Sequence, residues 1–117
     1  MKTSRIACLC AVMIAVAAWL PAADTHVYNA PIERVWDEAV KATRDAGLEL
    51  TDSDRSEYWF MMASPKKTFS RSVLFEVRLS QTEEQTQVMV RAVDEDGSKK
   101  SIKIIAAYLA ALDERLN

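Results

Sequence analysis

EYWFMMAS, residues 57–64, decides which faces of this chain are dry. Its aromatic side chains suit a strand better than a helix. A half-buried strand alternates apolar and polar residues, yet here Tyr58, Trp59, Phe60, Met61 and Met62 stand side by side. Trp59 and Met61 take one face; Tyr58, Phe60 and Met62 take the other. One set belongs to a core. The second either packs beneath the polar stretch that follows Ser64, or lies open to a partner or a greasy ligand.

The flanking sequence supplies the frame. SVLFEVRLS (72–80) alternates cleanly, with Val73, Phe75, Val77 and Leu79 on one face and Leu74, Glu76, Arg78 and Ser80 on the other. In TQVMVRAV (86–93), Val88, Val90 and Ala92 point inward and Gln87, Met89 and Arg91 outward. Upstream, Leu48 and Leu50 alternate with Glu49 and Thr51, and a turn within 53–57 follows. Ile32, Val35, Trp36, Ala39, Val40, Thr43 and Ala46 fall on one helical stripe. Pro31 is expected at its first position with Asn29 or Ala30 at the cap, and Gly47 closes it. A short strand from Asp24 precedes this helix. A last helix over about 99–116 carries Ile102, Ile105, Leu109, Leu112 and Leu116 in line.

The order read is β-α-β-β-β-α. It predicts an α+β domain, a four-stranded, mainly antiparallel sheet with both helices on one face. The outward sets are mostly polar, as a wet sheet face should be. Tyr58, Phe60 and Met62, with Leu74 and Met89 beside them, are the residues expected to make an apolar partner surface there. Trp36, Phe75, Leu109 and Leu112 are expected in the core.

The amino terminus has the parts of a secretory signal. Lys2 and Arg5 precede an apolar run from Ile6 to Leu20, and Pro21-Ala22-Ala23 offers small residues before Asp24. The run of about 15 residues is short of the roughly 20 that span a bilayer. Residues 1–23 are therefore expected to be a signal peptide and 24–117 a single exported, periplasmic domain with no stable membrane anchor after cleavage. Both cysteines, Cys8 and Cys10, lie inside the signal, too early for lipidation, so the mature domain has neither disulfide nor thiol. The chain carries 15 Lys+Arg and 17 Asp+Glu; without Lys2 and Arg5 the balance is 13 against 17, net −4. No basic stripe marks it for nucleic acid.

Catalytic chemistry is sparse. His26 is the lone histidine and sits near the mature end, which assembles no triad. Gly47 and Gly97 are the only glycines, too few for a phosphate loop. Asp94-Glu95-Asp96-Gly97 resembles the start of a calcium loop, but a lysine-rich run stands where its closing glutamate belongs. Lys66, Lys67, Arg71 and Arg55 gather near the central loop; Lys66-Lys67 beside Phe69 could contact an anionic glycan or lipid headgroup, but a solvated loop tip is the expected reading. The expectation is a protein without catalytic residues, metal or cofactor.

Tyr28-Asn29-Ala30-Pro31, then Val35-Trp36-Asp37-Glu38-Ala39-Val40 and Gly47-Leu48-Glu49-Leu50, resemble small uncharacterised bacterial envelope proteins and lipoproteins. The arrangement is similar to the helix-grip domains of the outer-membrane assembly lipoprotein BamC. The resemblance covers most of the mature chain, and its motifs are structural. It implies a binding or accessory module of the cell envelope whose partner is an envelope protein or a second copy of the chain. The alternative is a small carrier holding lipid or another hydrophobic ligand between the C-terminal helix and the sheet.

Overall fold

The computed structural model describes residues 23–65, 73–93 and 99–117. The expected signal peptide, except for Ala23, lies outside the described residues, as do Lys66, Lys67, Phe69, Arg71 and the calcium-like turn at 94–97. Five strands and two helices follow in order: β1 (Ala23–Tyr28), α1 (Ile32–Asp45), β2 (Glu49–Asp54), β3 (Trp59–Ala63), β4 (Leu74–Thr82), β5 (Gln85–Ala92) and α2 (Lys99–Leu116). The α+β class is as expected. The strand count is not: the sheet has five strands rather than four, because each of the four strand-like segments between the helices forms a strand of its own and β1 adds the fifth.

The sheet order is β1-β5-β4-β3-β2, with every pairing antiparallel. Strands β2 to β5 form a meander, and β1 returns beside β5. The edges are thus β1 and β2, and α1 carries the chain across the sheet from one to the other. Both helices bury their stripes on the same side of the sheet, against Phe60, Met62, Phe75, Val77, Val88 and Val90.

Local chemistry sets the helix ends. Pro31 is the N-cap of α1, with φ −67° and ψ 150°, and no side chain caps it. The cap thus falls later than the expected Asn29 or Ala30, and Asn29 is engaged elsewhere: its Oδ1 accepts from Gln85 Nε2 at 2.8 Å. At the other end Gly47 takes φ +75°, Gly47 N donates to Arg44 O at 3.0 Å and Leu48 N to Thr43 O at 2.9 Å. This pair of bonds is a Schellman closure, which needs a left-handed residue and buries the apolar one after it; Leu48 is buried.

The core is filled by large side chains. Trp36 meets Phe60 edge-on at 5.5 Å and Tyr58 at 5.9 Å between ring centroids. Tyr108 is fully buried, and its hydroxyl donates to Ala39 O at 2.7 Å, so the polar atom is satisfied. Phe75, Leu109 and Leu112, expected in the core, are buried there with Trp36. Ile102 is not: it is 53 % exposed, because Ser101, Ile105, Tyr108, Leu109 and Leu112 form the inward stripe of α2 and leave Ile102 beside it.

Candidate interaction face of the sheet

The β3–β4 register decides which face each apolar side chain takes. Phe60 lies opposite Val77 and Met62 opposite Phe75, so both share the helix-covered face. Trp59 lies opposite Arg78 and Met61 opposite Glu76, on the open face. Phe60 and Met62 are 0 % exposed. Their placement on an exposed partner surface is therefore corrected: cross-strand pairing with β4 fixes their parity, and they belong to the core. Tyr58 is half-buried at the entry to β3 with φ 55°, its ring against Trp36 on the helix side. Leu74 and Met89 stand on the open face, both half-buried, apart from the three residues expected beside them.

The large apolar side chains at the centre of the open face are thus Trp59, Met61, Leu74 and Met89; Val27, opposite Gln87 on the edge strand β1, shares that face and is 56 % exposed. Among them lies a charged cluster. Glu76 is only 7 % exposed although it sits on the side away from the helices. Arg91 Nε donates to its Oε1 at 2.6 Å and Arg78 Nε to its Oε2 at 2.8 Å. Register explains the contact: Arg91 is the direct cross-strand partner of Glu76, and Arg78 is two residues along β4 on the same face. Each carboxylate oxygen receives one charge-assisted bond, which offsets the cost of taking the group out of water.

A bulge adds a second charged band. Leu50 pairs with Met62 and Asp52 with Met61, which leaves Thr51 as the extra residue. The bulge reverses the parity of β2, so that Asp52 and Asp54 join Glu49 on the open face beside Met61 and Trp59. Sequence alternation alone places Glu49 and Thr51 outward and does not find the two aspartates. Asp54 also closes the hairpin, accepting from Ser56 N at 3.0 Å and Ser56 Oγ at 2.6 Å. The Ser56 hydroxyl is the main reason that its carboxyl is held below the usual carboxylate range.

Two other clusters tie elements together. Asp113 Oδ1 accepts from the Tyr28 hydroxyl at 2.6 Å and lies 3.2 Å from His26 Nδ1, joining β1 to α2. Burial, and then the bond to Asp113, push the Tyr28 phenol well above its ordinary range. His26 Nε2 stands 3.7 Å from Asp24. Between the helices, Arg115 reaches Asp45 and Glu38.

Concavities are shallow or small. A cleft of about 430 Å³ lies between α1 and β2, lined by Val40, Thr43, Arg44, Leu48, Glu49 and Leu50. Where α2 meets β1, the space is a niche of about 100 Å³ at Ala23, Asp24, Ile102, Ile105 and Ala106. That niche is well below the roughly 300–1,000 Å³ typical of small-molecule sites. Among the described residues no group of three His, Cys, Asp or Glu could hold a metal ion.

No protein-family model and no curated protein matches the sequence. Among solved structures, the chain is similar to a protein of Nitrosospira multiformis determined by a structural-genomics consortium. The two are 14 % identical with a TM-score of 0.59, over 82 % of this chain and 95 % of that one. A crystal structure of a protein from Thermus thermophilus aligns at 14 % identity and a TM-score of 0.49, over 81 % of this chain and 95 % of that one. At this identity the Nitrosospira likeness is one of fold, and the fold that it shares is the α+β domain described above.

Proposed function

We propose that this protein is an exported, non-catalytic binding or accessory module of the bacterial cell envelope, and that it binds through the open face of its sheet. The observation that carries the reading is Trp59, Met61, Leu74 and Met89 grouped on the face that neither helix covers, around the paired Glu76. Half-buried aromatic and methionine side chains suit an interaction surface, since both present large, adaptable apolar area. The N-terminal Lys2–Arg5 charge, apolar run and small residues support export to the periplasm. No helix among the described residues is long and apolar enough to cross a membrane. The long C-terminal helix packed on an antiparallel sheet supports a helix-grip-like reading, in keeping with the resemblance to envelope lipoproteins.

The test is photo-cross-linking in living cells that express the full chain, with a photoreactive residue at Met61 and, as control, at Glu33 on the exposed side of α1. The expected result is a discrete cross-linked band from position 61 that is absent from position 33, in protein whose amino terminus has been removed near Ala23. Equal labelling from both positions, or none from position 61, contradicts the proposal.

A further inference from the structure

We infer that the partner for which the open face is built is a second copy of the same chain. The inference rests on the reading that this face is an interaction surface, and it comes from how charge is banded across the strands. Strand β2 contributes Glu49, Asp52 and Asp54, all acidic. Strand β3 contributes the apolar Trp59 and Met61. Beyond them, Arg78 on β4 and Arg91 on β5 flank Glu76. The order from one edge is therefore acid, apolar, then net positive, because two guanidinium groups share one carboxylate.

The arginines are only partly used. Each donates to Glu76 through Nε, and the Nη groups of neither make a hydrogen bond to a described residue. Side-chain exposure is 53 % for Arg78 and 39 % for Arg91, whereas Glu76 beneath them is 9 % exposed. Among the described residues the cluster thus offers outward N–H donors and one positive charge more than its carboxylate balances.

A partner with a single sign of charge meets one attractive band and one repulsive band. A second copy meets neither problem. Two sheets packing face to face keep their strands within about 30° of each other, about 10 Å apart. A two-fold axis that runs along the strands near β3 and β4 lays the sequence of bands against its own reverse. With the axis between β3 and β4, β2 of each copy lies over β5 of the other and β3 over β4, and because such an axis keeps each residue at its own level along the strands, Asp52 lies over Arg91 and Trp59 over Arg78. This contact closes on itself, as an isologous dimer must.

Charge reversal tests the inference. Protein from cells expressing the full chain is compared by analytical ultracentrifugation as wild type, as Asp52→Arg, as Arg91→Glu, and as an equimolar mixture of the two variants. The wild type is expected to dimerise and to dissociate as salt is raised. Each variant alone should dimerise at least about tenfold more weakly, since like charges then face each other. Mixing them should restore the dimer, because every reversed charge meets a reversed partner. Circular dichroism must show that each variant is folded. A monomeric wild type, or a dimer indifferent to both reversals, overturns self-pairing. If Met61 still cross-links to a different protein in cells, the open-face reading stands while self-pairing falls; with no cross-link at all, both fall.

Discussion

Phe60 and Trp59 are chain neighbours with opposite surroundings. Phe60 is fully buried and meets Trp36 edge-on, whereas Trp59 is half-buried on the open face opposite Arg78. Phe60→Ala should therefore cost about 3–5 kcal/mol of stability, as large-to-small changes in a packed core do. Trp59→Ser should cost much less. Urea unfolding of the two variants side by side checks this, and equal losses would contradict the assignment. The sequence shows why this difference was hard to read. A period-2 pattern assigns faces only where the two parities differ in polarity, and from Tyr58 to Met62 they do not. The deciding information lies in β4, where Phe75 and Val77 alternate with Glu76 and Arg78, and it reaches β3 only through the register.

At the scale of elements, the helices were the legible part. Pro31 and Gly47 mark the ends of α1 by backbone chemistry, and the start and end of α2 coincide with the expected span at Lys99 and Leu116. The hairpin of β2 and β3 was less so, since a bulge is one unpaired residue with no composition of its own, and Thr51 looks like any strand residue. The two helices are joined by Arg115, whose Nε and Nη2 reach the Asp45 carboxylate at 2.5 and 3.1 Å and whose Nη1 reaches Glu38 at 3.2 Å. The hydrogen bond from Arg115 is the main reason that the Asp45 carboxyl is held below its ordinary value. A carboxyl whose folded pKa is depressed contributes stability that is present above its unfolded value, about 4, and lost as pH falls through the lower folded value. Arg115→Gln should accordingly weaken the protein at neutral pH and flatten the part of its acid unfolding profile that Asp45 supplies below about pH 4. An unchanged profile would show that the clamp is not formed in solution.

At the scale of the molecule, the sheet separates two tasks. One face is covered by α1 and α2 and filled by Phe60, Met62, Phe75, Tyr108, Leu109 and Leu112. The other keeps a banded surface of acid, apolar and basic groups that contributes little to the core. The α+β architecture could be read from the alternation of 73–79 and the stripes of the two helices. The composition of the open face could not, because it depends on a bulge in β2 and on the parity of β3, both properties of pairing rather than of local sequence. The clasp of His26, Tyr28 and Asp113 was hidden for the same reason: the residues are 87 positions apart at their widest.

Three methionines report on both faces at once. Met62 is fully buried among core residues, while Met61 and Met89 are half-buried on the open face. Oxidation with dilute peroxide converts accessible thioethers to sulfoxides, and peptide mass spectrometry then reads each site separately. Met61 and Met89 are expected to oxidise in the folded protein and Met62 only under unfolding conditions, and Met61 and Met89 should become protected as protein concentration rises. Oxidation of Met62 as fast as Met61 in the folded protein would contradict this assignment of faces.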